Sequence, residues 1–146
     1  MSDPFDLERF VAAQDPVWAR VTAELSAGAK RTHWIWFVFP QIAGLGHSST
    51  AVHYALPSQA AAEAYLAHPV LGPRLVEAVQ LMLRHRDTPA ETILGGIDAV
   101  KFRSCLTLFE AAGGGAVFKD ALDAFYGGER DPATLKILSA NETSSP

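Results

Sequence analysis

The residues best equipped for chemistry gather in one stretch, residues 30–48, with a second group on the segment that begins at Asp98. In the first, Lys30-Arg31 precede His33, Trp34 and Trp36, and Pro40-Gln41 lead into Gly44-Leu45-Gly46-His47-Ser48. Two of the three tryptophans and two of the eight phenylalanines fall between positions 34 and 39. Rings beside cations, an imidazole and an amide have the composition of a cleft wall. The same rings suit a core equally well, provided each indole N–H finds an acceptor. His33 is the best general acid or base by residue type, since an imidazole titrates near neutrality. The glycines at 44 and 46 permit close backbone approach, and Ser48 or Ser49 begins a helix. With Lys30, Arg31 or Lys101 nearby this loop makes an anion site; the alternative is a turn followed by an N-cap.

On the second segment Lys101, Ser104, Cys105 and Leu108 recur at helical spacing. Lys101 and Ser104 then border the buried side, and Arg103, Thr107 and Glu110 face solvent. The ligand-binding candidates are therefore Lys30, Arg31, His33, Trp34, Trp36, Gln41, Gly44, Gly46, Ser48, Lys101 and Ser104, around a small nucleotide-like or otherwise anionic molecule. No residue is assigned as catalytic, and no cofactor is implied. The competing reading is a protein–protein interaction module that presents the aromatic side chains of 34–39, with Arg31 at the rim and no catalysis. A third makes the block purely structural.

Several chemistries fail on spacing. Gly44-Leu45-Gly46 opens like a dinucleotide fingerprint, but Ser49 occupies the place of the third glycine and no βαβ unit surrounds it. Cys105 is the single cysteine, which excludes an internal disulfide and a multi-cysteine metal cage. His47 and His53 are six apart, not the four of a helical metal pair, and His68 and His85 read as ordinary polar residues, so no metal site is expected. The net charge of −4 offers no electrostatic reason for nucleic acid as a partner. The acidic start lacks the pattern of a signal peptide, and the apolar run 34–39 is too short to span a bilayer. A cytoplasmic protein with unknown partners is the expectation.

The elements that must position these residues are marked by their caps. Asp3-Pro4 and Asp15-Pro16 open the first two helices, and Gly28 ends the second. Thr32 caps a short helix through residues 33–37, with a buried strand as the competing assignment, and Pro40 ends either. Ser58 caps a further helix, residues 69–85 form a longer one, and Thr88-Pro89-Ala90-Glu91 has the form of a capping box. Helices from Asp98, Ala116 and Asp131 complete the chain, with Gly113-Gly114-Gly115 as a clear break. The whole reads as a single all-α domain over 3–139 of about eight mostly short helices, with a disordered tail over 140–146.

Asp3-Pro4-Phe5-Asp6-Leu7, the run Lys30-Arg31-Thr32-His33-Trp34-Ile35-Trp36-Phe37-Val38-Phe39-Pro40-Gln41, and the blocks His68-Pro69-Val70-Leu71-Gly72 and Lys101 to Phe109 resemble the bacterial family called domain of unknown function 1810. Gly44-Leu45-Gly46, Ile93-Leu94-Gly95 and Tyr126-Gly127-Gly128 are similar to it as well. The resemblance covers residues 3 to about 138. It implies a mainly helical single domain and no established activity, substrate or cofactor. Some members bear the label calpastatin, yet the disordered charged repeats of such inhibitors are absent here. Where the family has a second serine this chain has Cys105, so that serine is not essential.

Overall fold

The computed structural model describes residues 3–143 of the 146. Among the described residues ten helices follow one another: α1 (Glu8–Gln14), α2 (Trp18–Ala27), α3 (Ile35–Val38), α4 (Ser49–Tyr54), α5 (Gln59–Ala67), α6 (Leu71–Leu83), α7 (Ala90–Leu94), α8 (Gly96–Ala111), α9 (Ala116–Tyr126) and α10 (Pro132–Thr143). No strand occurs among the described residues; one isolated parallel bridge joins Ile42 to Leu56. The all-α expectation holds, with two helices more than the eight or so expected.

Helix α8 is the hub, packing against α3, α5, α7, α9 and α10. Its sequence explains the position: Ala99, Phe102 and the whole run Ser104 to Phe109 are buried, so that stretch of the helix is enclosed on nearly every side. Helix α6 shows the simpler amphipathic pattern, burying Leu71, Leu75, Ala78, Val79 and Met82 at steps of three and four. Ring contacts continue the core. Tyr65 meets Phe10 edge-on at 5.2 Å and Phe109 at 5.3 Å, while Phe39 lies 4.6 Å from Phe102. Each such ring buried in full contributes about 1.5–3 kcal/mol relative to exposure. Gly72 lets α6 approach α5, because a Cβ there would stand 2.1 Å from the Leu66 carbonyl oxygen.

The aromatic block resolves as a helix, since Phe39 N–H bonds back to Ile35 and Val38 N–H to Trp34. Thr32 does not cap it. Trp34 stands at the cap position without a side-chain bond, and the Thr32 hydroxyl donates instead to Glu24. Thr88 likewise forms no capping box: Pro89 precedes α7, and no side chain caps it. Ser48 and Ser58 do cap α4 and α5, accepting from Ala51 and Ala61 N–H. Helix α1 begins at Glu8 rather than at Pro4, although both Asp3 carboxylate oxygens take backbone N–H groups, those of Leu7 and Glu8.

Two other boundaries and one exposed position differ. α8 starts at Gly96, two residues before Asp98. Thr107 is buried, not solvent-facing, because α10 crosses that side of α8 and the Thr107 hydroxyl accepts from Asp131 N–H at 2.9 Å. Helix α10 continues through residues 140–143, where a tail was expected; residues 144–146 of that tail lie outside the described residues.

Candidate functional site

The segment from Lys30 to Gln41 is held by one buried carboxylate. Glu24, at the end of α2, accepts Arg31 N–H at 2.8 Å, Thr32 N–H at 3.1 Å and Trp34 Nε1–H at 2.9 Å on Oε1, and the Thr32 hydroxyl at 2.8 Å on Oε2. Burial by itself raises the Glu24 pKa; the four hydrogen bonds outweigh it and hold the carboxyl near 2 rather than 4.5. Lys30 N–H donates to the Ile93 carbonyl, which ties the same segment to the end of α7. Gln14, buried on α1, donates to the Phe37 carbonyl at 2.6 Å and to the Tyr65 hydroxyl at 3.0 Å.

These anchors decide which candidates face outward. Trp34 is 1% exposed with its indole N–H on Glu24, so it is a core residue and cannot stack on a ligand. Lys30 is also withdrawn: its ammonium lies 2.8 Å from Asp98 Oδ2 and over the Trp34 ring, with its side chain 6% exposed. Arg31 is exposed, and among the described residues only its backbone N–H makes a hydrogen bond, to Glu24. Ser48 is occupied as the α4 cap. Gly44, at φ 110°, is an exposed turn residue near Ile137.

Four candidates do come together. Gln41, Gly46, Lys101 and Ser104 line one pocket of about 380 Å³, where Leu45, Ile97, Val100 and Ala133 supply apolar walls and Asp131 completes the lining. The bridge at Ile42 ties the loop to the segment between α4 and α5: Ala43 N–H donates to the Leu56 carbonyl and Leu56 N–H to the Gln41 carbonyl. Gly46 must be glycine because an added Cβ would meet Ala51 Cβ at 2.5 Å. Lys101 lies over the Trp36 ring at 5.3 Å, and its ammonium is 3.7 Å from Asp98 Oδ1, a carboxylate already shared with Lys30. Among the described residues the Gln41 side-chain amide has no hydrogen-bond partner. Asp131 is fixed at the start of α10, its Oδ2 accepting Thr134 N–H at 3.1 Å, the Thr134 hydroxyl at 2.5 Å and the Ser104 hydroxyl at 3.0 Å.

His33 and Trp36 sit elsewhere. They line an open cleft of about 570 Å³ with Phe37, Ser49, Thr50, His53 and Tyr54. His33 also borders a shallow groove with Leu94 to Asp98, which Ile97 shares with the pocket at Lys101. The imidazole thus stays outside the Gln41–Lys101 pocket. No group of three metal-ligating side chains occurs among the described residues. Cys105 is buried, and burial pushes its thiol pKa well up, so it is no nucleophile.

Sequence reasoning missed Ile97, Val100 and Asp131. Ile97 and Val100 are 75% and 62% exposed. On an otherwise amphipathic segment, two apolar residues on the wrong side of the helix were the available signal. Asp131 looked like a cap alone, and nothing in the chain order says that α10 lies across α8.

What these observations define is an all-helical protein built on one central helix, with no described helix long and apolar enough to cross a membrane. The chain belongs to the family described as protein of unknown function (DUF1810), whose model matches residues 4–138. It is similar to the conserved hypothetical protein Rv1873 from Mycobacterium tuberculosis, known from a crystal structure. The two are 47% identical with a TM-score of 0.92, over 94% of this chain and 99% of that one. No curated protein matches.

Proposed function

We propose that this protein binds a small organic acid in the pocket between the 41–46 loop, α8 and the start of α10. The observation that carries the reading is the pairing of the Gln41 amide, which has no hydrogen-bond partner among the described residues, with the Lys101 ammonium in a single apolar-walled pocket. Lys101 is held by its packing on Trp36 and by a 3.7 Å approach to Asp98, a contact longer than a direct hydrogen bond. An incoming carboxylate therefore gains a charge-assisted bond without breaking a strong one. The lysine side chain is 23% exposed, and partial removal from water strengthens such a contact. A volume of about 380 Å³ lies at the small end of ligand sites.

The pocket is favoured over the aromatic cleft because His33, His53 and Ser49, three of the cleft's polar residues, are exposed at its rim. An interaction module built on the 34–39 rings is disfavoured by the complete burial of Trp34 and Phe39. The test is a thermal-shift panel of small aliphatic acids on the parent, Lys101→Met and Gln41→Leu. Stabilisation of the parent alone, with all three folded, is the expected result. Equal shifts in the parent and both variants would place the ligand elsewhere.

A further inference from the structure

The pocket at Lys101 carries a second charge of opposite sign, and its placement narrows the ligand. Asp131 directs Oδ2 to three internal donors, the Thr134 N–H, the Thr134 hydroxyl and the Ser104 hydroxyl, whereas Oδ1 has no hydrogen-bond partner among the described residues. The carboxylate is held rigidly by one oxygen, and the other remains available. Ser104, which binds Asp131 at 3.0 Å, lies one helical turn after Lys101 on α8, and Lys101, Ser104 and Asp131 line the same pocket. Ile97 and Val100, which precede Lys101 on the same helix, are exposed apolar side chains in the pocket lining.

A simple anion would be attracted by Lys101 and repelled by Asp131. A molecule with both charges on neighbouring atoms meets neither conflict. We infer that the ligand is a free α-amino acid with an aliphatic side chain, its carboxylate on Lys101 and Gln41, its ammonium on Asp131 Oδ1, and its side chain against Ile97 and Val100. This inference rests on the small-acid reading above and adds the ammonium requirement to it. An aliphatic side chain covers the exposed apolar surface of Ile97 and Val100, which a polar side chain does less well.

Three probes of one shape separate the two claims: leucine, 4-methylpentanoate, which lacks the amine, and 3-methylbutylamine, which lacks the carboxylate. Calorimetric titration of the parent is expected to show leucine binding about tenfold or more tighter than either analogue, the loss of one charge-assisted contact. Asp131→Asn retains an N-cap side chain and is expected to remove the preference for leucine over 4-methylpentanoate. Binding of 4-methylpentanoate equal to or tighter than leucine overturns the amino-acid assignment while leaving the small-acid reading intact. Failure of all three ligands overturns both. An unchanged leucine preference in a folded Asp131→Asn variant overturns the role of Asp131, whatever the parent shows.

Discussion

Replacing Glu24 by glutamine tests the anchor that sets the aromatic block. The carboxylate takes four hydrogen bonds, and its pKa lies near 2 in the folded protein against the usual 4.5. At 1.36 kcal/mol per pKa unit, that depression corresponds to about 3 kcal/mol of stability at pH 7. Because the folded pKa is lowered, the contribution is complete above about pH 5. It falls through the window between 4.5 and 2, leaving about 1.5 kcal/mol at pH 3. Glutamine mimics the protonated acid: its oxygen still accepts three of the donors, and its amide can donate to the Thr32 hydroxyl. Urea unfolding of parent and Glu24→Gln at both pH values should therefore show a gap of about 3 kcal/mol that halves on acidification. A gap that stays constant with pH, or one below about 1 kcal/mol at pH 7, would refute the electrostatic account of this segment. Glu24→Ala goes further, since it leaves the buried Trp34 N–H and two backbone donors without an acceptor, at about 1–3 kcal/mol each.

Other expectations follow from single contacts. Gly72→Ala drives a methyl group into the Leu66 carbonyl and should lower stability by about 1–3 kcal/mol or more, read as a lowered urea midpoint. Asp131→Ala removes the cap of α10 and its bond to Ser104, a loss of about 1–2 kcal/mol by the same measurement. Cys105, buried with a raised thiol pKa, should react with a thiol reagent only as fast as the protein unfolds; immediate labelling of the native protein would contradict its burial.

Much of this architecture was legible in the sequence because it is written in local chemistry. Gly28 ends α2 in the left-handed conformation, Ser48 and Ser58 cap the helices that follow them, and the triple glycine separates α8 from α9. What stayed hidden depends on contacts between distant segments. Thr32 has the residue type of a cap, but Glu24, eight positions earlier, claims its hydroxyl. Thr107 sits at a position that faces solvent on an isolated helix and is buried once α10 crosses it. The same limit applies to the candidate site. Gln41, Gly46, Lys101 and Ser104 stand out by type and spacing, and they meet in one pocket. Lys30 and Trp34 stand out on the same grounds, yet Asp98 and Glu24 draw them inward. His33 is near Gln41 in sequence, whereas the short α3 turns the two toward different hollows.

The central claim is that Lys101 and Gln41 bind a small acid, and calorimetry on one variant tests it most directly. The probe is the aliphatic acid or amino acid that most raises the melting temperature of the parent, titrated into parent and Lys101→Met at pH 7. Methionine keeps the apolar stem over Trp36 and removes the charge. The account predicts a folded variant whose affinity falls about 10- to 100-fold, the loss of one charge-assisted hydrogen bond. Equal affinity in the two proteins would contradict it.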